Sequence, residues 1–223
     1  MSKLLSEQPW TEDRFRELAV RALHGEPQAQ PANLTSDRSR LRSDFDLNPE
    51  LDAVKEIAKS PRPAAVLVPV VAHNELTVLL TQRTEHLPSH AGQVAFPGGK
   101  LEPSDASPLA AALRETREEI GLVSSAIEPL GYLDGYLTGT GFHVVPVVAL
   151  VQPEFNLTLD EREVADAFEV PLSFLMDSSN HETHTREWRG TQRSYYAMPY
   201  GDRFIWGATA GMIRNLHERL ARA

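Results

Sequence analysis

The sequence predicts an α/β protein, an α/β/α sandwich around a mixed central sheet, on three observations. Apolar runs of strand length recur at AAVLVPVVA (64–72), LTVLLTQR (76–83) and FHVVPVVALVQ (142–152). Two stretches carry apolar residues at helical spacing, one in the middle of the chain and one at its C-terminal end. Strands that flank and interleave with helices need helices layered on a sheet.

Taken in order, residues 10–24 predict an amphipathic helix with Thr11 as N-cap and Phe15, Leu18, Ala19, Ala22 and Leu23 on one face. Gly25 and the Pro- and Gln-rich residues after it end that helix. Arg38, Arg40 and Arg42 alternate through residues 36–44, as a solvated loop or edge strand or as a basic lip over an anionic ligand. A short helix is expected near Leu51–Ala58, in the connection to the core. The runs 64–72 and 76–83 read as a hairpin across His73-Asn74-Glu75, and QVAF (93–96) as a further short strand. The central helix has Ser107 or Asp105 as N-cap, Pro108 in its first turn and a buried stripe of Leu109, Ala112, Leu113, Thr116 and Ile120. Its glutamates are expected beside that stripe, on an edge facing a cleft. Residues 127–136 and 142–152 read as strands around a Gly139-Thr140-Gly141 turn. Residues 161–177 read as a mixed acidic and apolar segment ending in a helical turn at Pro171. A polar hairpin follows at 184–200, then a C-terminal helix (207–223) with Thr209, Met212, Ile213, Leu216 and Leu220 inward.

Composition narrows the function. A net charge of −9 argues against a general nucleic-acid or membrane-surface binder, since both need a basic face. The absence of cysteine removes disulfides, thiolate catalysis and cysteine-based zinc sites, leaving carboxylates as the ligand class. The first residues, MSKLLSEQPWTEDRF, lack the apolar stretch of a secretory signal, and no run approaches a membrane span, so a cytoplasmic protein is expected. The apolar face of the N-terminal helix would suit an exchanged or packed helix in a homodimer.

The chemistry concentrates in FPGGKLEPSDASPLAAALRETREEIGL (96–122). Glu115, Glu118 and Glu119 lie at i, i+3 and i+4, close together on one helical face. Like charges so spaced cost a helix roughly 0.2–0.5 kcal/mol per pair, and a divalent cation relieves them. Mg²⁺ prefers oxygen ligands and is commonly shared between carboxylates and substrate phosphates. Such an ion neutralises phosphate charge and lowers the pKa of a coordinated water.

This stretch resembles the Nudix box, G-x5-E-x7-R-E-U-x-E-E-x-G-U, at Gly99, Arg114, Glu115, Glu118, Glu119, Gly121 and Leu122. It is one residue longer than the pattern, Thr116 stands at the first bulky apolar position, and the early glutamate appears as Asp105 or is displaced. The extension makes Asp105 a cap before a ligand. The resemblance implies the Nudix fold for residues 61–223, C-terminal helix included, with residues 1–60 as an N-terminal helical extension. It implies Mg²⁺ or Mn²⁺ on Glu115, Glu118 and Glu119, with Arg114 orienting the glutamates and the Gly98 carbonyl as a further ligand. It also implies a distal acid outside the box, for which Glu163 is the first candidate and Glu161 the second.

Upstream, LLTQRTEHLPSHAGQVAFPGG (79–99) is similar to the segment that marks the coenzyme A pyrophosphatase branch of that family. Leu79, Leu80, Thr81, Arg83, Gly92 and Phe96 to Gly99 agree with it; Thr84 replaces Ser or Ala, and Pro88 replaces an arginine. Arg83, His86 and His90 could make up the lost phosphate contact, so Arg83, His90, Gly98 and Gly99 are the candidate binding residues. The implied activity is hydrolysis of coenzyme A or its thioesters to 3′,5′-ADP and 4′-phosphopantetheine or its acyl derivative. Two alternatives stay open: a pyrophosphatase for ADP-ribose or another nucleoside diphosphate derivative, and a Nudix-like binding module without catalysis.

Overall fold

The computed structural model describes residues 9–27, 41–49, 60–87, 90–188 and 190–223. The helix expected near Leu51–Ala58, Arg38, Arg40 and Pro88 lie outside the described residues. Helix α1 (Glu12–Ala22) starts at Thr11, whose hydroxyl accepts from the Arg14 N–H, and buries Phe15, Ala19 and Ala22. Its apolar face is packed within the chain.

Among the described residues nine strands form the main sheet: β1 (Leu41–Ser43), β2 (Arg62–Val71), β3 (Thr77–Arg83), β4 (Val94–Ala95), β5 (Gly98–Lys100), β6 (Ile127–Tyr132), β7 (Gly135–Leu137), β8 (Phe142–Val151) and β9 (Val164–Pro171). The sheet is mixed, as expected: β2 runs parallel to β8 over its whole length and antiparallel to β3 and β5. Residues 127–136 make two strands rather than one, with the break at Leu133-Asp134. There Asp134 turns inward to His24, Arg42, Asn215 and Arg219, which the strand pattern could not reveal. Arg42 accordingly lies on an edge strand and is bound to Asp134 and Glu218, not poised over an anion. Residues 164–171 are a full strand on the outer edge of β3. Their alternation is masked by Asp166 and Glu169, charged residues at half-buried positions.

Helix α2 (Pro108–Ile120) covers one face of the sheet. Its Ala111, Ala112 and Ile120 pack on Ala65, Leu67, Val147 and Ala149. The opposite face carries α1, the C-terminal helix α4 (Ala208–Leu220) and a second, three-stranded sheet, giving the sandwich a second core. That sheet comprises β10 (Glu182–Trp188), β11 (Thr191–Tyr200) and β12 (Arg203–Trp206), after a one-turn helix α3 (Leu172–Leu175). The β10–β11 hairpin and the inward residues of α4 match the sequence reading; β12 is an additional strand. No helix among the described residues is long and apolar enough to cross a membrane.

The pairing of β2 and β3 prepares the site. They pair only at Val70–Val78 and Val71–Thr77, next to their connecting turn. Beyond that they part: β5 takes the freed edge of β2 at Ala64–Val66, and β4 pairs β3 at Thr81 and Gln82. The sheet therefore forks, and the Phe96-Pro97 link crosses from one arm to the other.

Candidate active site

Helix α2 brings the acidic group to this fork. Ser107 caps it, with Oγ accepting from the Ala110 N–H at 3.1 Å, and Pro108 fills the first turn. Asp105 is therefore not the cap. Its carboxylate grips Arg114, at 3.1 Å to Nε and 2.9 Å to Nη2, and the guanidinium holds it below the usual carboxylate range. Arg114 Nη1 is 3.1 Å from Glu115 and 3.0 Å from Glu118, so one guanidinium binds three carboxylates. The helix ends at Gly121, which takes the left-handed conformation (φ 73°). A side chain there would meet Thr158, whose N–H donates to the Ile120 carbonyl at 2.9 Å. Asp160 N–H donates to the Glu119 carbonyl at 2.9 Å, and this clasp carries the chain to Glu163 and β9.

The three glutamates differ in environment. Glu118 is exposed, Glu115 is half-buried and Glu119 is 6% exposed, inside the apolar stripe beside Thr116 and Ile120. The expectation of three acids beside the stripe is thus corrected for Glu119, which stands three positions after Thr116 and shares its arc. Its carboxylate bridges the fork: Oε2 accepts from the Gly98 N–H at 3.0 Å on β5, and Oε1 is 3.7 Å from Arg83 Nη1 on β3. Burial pushes Glu119 up to about 7, against the opposing pull of Gly98 and Arg83. Burial also raises Glu115, and the charges of neighbouring acids, Glu163 among them, push both upward. Glycine at 99 is a steric requirement, since a Cβ there would come within 2.7 Å of the whole Glu115 carboxylate.

The remaining candidates separate into two groups. Arg83 Nη2 is 4.0 Å from Glu163 Oε2, so Glu163 reaches the cleft while half its side chain stays in solvent. Arg83 Nε is buried without a hydrogen-bond partner. His90 is exposed and turned to Gln93, 2.8 Å from Nδ1, and does not meet the carboxylates. His86 and Glu161 are exposed as well. The fork thus assembles Glu115, Glu118, Glu119, Arg114, Gly98, Gly99, Arg83 and Glu163, leaving His90 outside. The sequence reading missed the supports: Asp105 on Arg114, and the Thr158–Asp160 clasp. For Asp105 a signal existed, its place six residues after Gly99, where the box has its early glutamate.

The carboxylate oxygens suit a hard cation, and those of Glu115 and Glu119 have raised proton affinity. Among the described residues no three acidic or histidine side chains converge on one point. Arg114 draws Glu115 and Glu118 to itself, whereas Glu119 turns to Gly98 and Arg83. The residues fit such an ion by chemistry, Glu115 being half-buried and Glu119 buried.

Residues 61–189 match the family model described as the NUDIX domain. The chain is 41% identical over 160 residues to NudL of Yersinia pestis, named an uncharacterized Nudix hydrolase, across 72% of this chain and 80% of that protein. NudL of Yersinia pseudotuberculosis gives the same 41% over 160 residues, with coverage of 72% and 80%. Among solved structures, the NUDIX domain of Shewanella oneidensis NrtR complexed with ADP ribose aligns at 21% identity and a TM-score of 0.47, covering 79% of this chain and 97% of that one. A MutT protein from Methanosarcina mazei Go1 aligns at 23% identity and a TM-score of 0.43, over 53% of this chain and 83% of that one. With the glycine turn, the acidic helix and the family match falling on the same residues, the chain belongs to the Nudix hydrolases, enzymes that act on phosphorus anhydrides.

Proposed function

We propose that the protein is a Mg²⁺- or Mn²⁺-dependent pyrophosphohydrolase that cleaves the diphosphate of coenzyme A or its thioesters, releasing 3′,5′-ADP and 4′-phosphopantetheine or its acyl derivative. The substrate assignment is carried by the segment from Leu79 to Gly99, whose Arg83 stands across the fork from Glu119 with its Nε unbonded. A bound divalent cation supplies charge neutralisation on the diphosphate and activation of the attacking water.

The protein's own groups do the positioning that phosphoryl transfer mainly requires. Glu115, Glu118, Glu119 and the Gly98 carbonyl would hold the cation, and Arg114 with Asp105 fixes the helix edge that carries the three glutamates. Arg83 binds a non-bridging phosphate oxygen through its spare donors. Glu163, half in solvent, accepts the proton of the attacking water. Water adds to one phosphorus, the bridging P–O bond breaks, and the second phosphate leaves as the anion.

Pro88, standing where the coenzyme A branch has an arginine, favours a second reading: a pyrophosphatase for ADP-ribose or another nucleoside diphosphate derivative. Purified protein with Mg²⁺ or Mn²⁺ is assayed on coenzyme A, ADP-ribose, NADH and dinucleoside polyphosphates. The highest kcat/KM is expected on coenzyme A, and preference for any other substrate removes that assignment while leaving the hydrolase. Glu115→Gln and Glu119→Gln are expected to abolish turnover with the fold intact; unchanged rates would count against the metal-site model, and absence of turnover in the unmodified protein on every substrate would favour a binding module.

A further inference from the structure

We infer that Arg203, on the second sheet, is a positioning residue for Arg83; the inference rests on the pyrophosphohydrolase reading above. The guanidinium of Arg203 leaves β12 and reaches back to the main sheet, where Nη1 donates to Gln82 Oε1 and Nη2 to Asp166 Oδ2. Its plane stacks on Phe168, 4.4 Å from the ring centroid. Gln82 and Asp166 face each other across β3 and β9, and they are the last regular pair before the register shifts. The next pair is Arg83–Val164, with Ala165 as the extra residue.

A bulge bends its strand and raises the local twist, so the ladder alone does not fix the direction of the residues beyond it. Arg83 and Glu163 both lie beyond this bulge. Arg203 fixes the pair on the near side of the bulge from both strands at once. The Gln82 amide, held through its oxygen, is 3.4 Å from the Gly92 carbonyl through Nε2, and the Arg83 N–H donates to the Gln93 carbonyl at 3.0 Å. The staple thereby orders the residue that carries Arg83 and the end of the loop that flanks it. The planar guanidinium presents its two Nη groups to two acceptors at a fixed spacing and lies over Phe168, whereas a lysine ammonium offers all its donors from one nitrogen on a flexible stem.

A stabilising role alone explains these contacts less well. The Arg203 side chain is 24% exposed and that of Asp166 45%, and ion pairs at such exposure add little to stability. Removing Arg203 should therefore disturb the cleft more than the melting temperature.

The test compares Arg203→Met, Arg203→Lys and Gln82→Met with the unmodified enzyme, on whichever diphosphate substrate it turns over best. In Arg203→Met and Gln82→Met, KM is expected to rise about ten-fold with kcat within about two-fold, since Arg83 binds ground and transition states alike. Arg203→Lys should fail to rescue KM. In an Arg83→Gln background, Arg203→Met should add no further KM effect, because the two act through one contact. A normal KM in Arg203→Met, or an undiminished effect in the Arg83→Gln background, overturns the inference. Should Arg203→Met fold poorly, Gln82→Met decides by the same two criteria. Glu119→Gln, assayed alongside, separates the two claims: full turnover by that variant removes the metal-site reading on which the role of Arg83 rests, whereas its inactivity beside a normal KM in Arg203→Met removes only the role of Arg203.

Discussion

Glu119 answers two demands that pull apart, burial in the helix stripe and negative charge for a cation. Its ordinary value of 4.5 is pushed up to about 7 in the folded protein. In metal-free protein, both folded and unfolded chains hold this proton below 4.5; between 4.5 and about 7 only the folded chain keeps it. Stability from Glu119 is therefore full at low pH and is lost as pH rises through that window, by about 3 kcal/mol in all. Urea unfolding in EDTA from about pH 4.5 to about pH 8 should show this loss in the wild type and not in Glu119→Gln, the difference between the two isolating the carboxyl. A pH-independent difference would contradict it. Thr116 is a second residue under strain of this kind: it is fully buried and its hydroxyl has no hydrogen-bond partner. Thr116→Val removes an unsatisfied group at nearly constant shape and is expected to stabilise by about 1–2 kcal/mol, read from the denaturation midpoint, with kcat unchanged.

At the scale of elements, the site depends on pieces that are locally determined and on how they are clamped. Ser107, Pro108 and Gly121 delimit α2 by capping chemistry that involves only neighbouring backbone. Position 121 needs glycine twice over, for its positive φ and for the approach of Thr158. Helix α1 comes from far along the chain, yet Phe15 is fully buried in the core shared with α4 and the second sheet. Phe15→Ala should cost about 3–5 kcal/mol, as deletion of a buried aromatic does. Urea midpoints followed by near-ultraviolet and far-ultraviolet signals should fall together. Loss of α1 alone, with the sheet unfolding at its wild-type midpoint, would show instead that the helix is an appended unit.

At the scale of the molecule, the two cores leave several histidines inside. His143 is 1% exposed with neither ring nitrogen bonded, and burial lowers it from 6.5 to about 4. His181 and His217, edge to face at 5.2 Å between ring centroids, are lowered too, chiefly by burial. Between about 4 and 6.5 the unfolded chain takes up the His143 proton and the folded chain does not, so this stability is present above 6.5 and falls as the solution is acidified. For His143 alone this amounts to about 3 kcal/mol. The stability of wild type should fall more steeply from about pH 7 to about pH 4 than that of His143→Leu, read by thermal unfolding; parallel curves would place the acid sensitivity elsewhere. Glu119 runs the opposite way in metal-free protein, so the histidine contribution is best read with E119Q as the common background.

What is local in this protein is set by the sequence alone. The Thr11 cap, the apolar members of the helical stripe and the spacing of Glu115, Glu118 and Glu119 depend on residues within a few turns of one another and were legible before folding, whereas the choice between Ser107 and Asp105 as cap was not. The apolar runs of β2, β3 and β8 were legible for the same reason, whereas β9 was hidden by charged residues that Arg203 and His73 meet from other elements. Tertiary packing settled that Glu119 is buried, that Asp105 serves Arg114, and that Arg83 and Glu163 meet at a fork where β2 and β3 part. Those outcomes depend on which faces pack and which strands share an edge, and they arise between residues on different elements. The identity of the acidic helix is a property of its sequence; the unequal chemistry of its three glutamates is a property of the sheet beneath it.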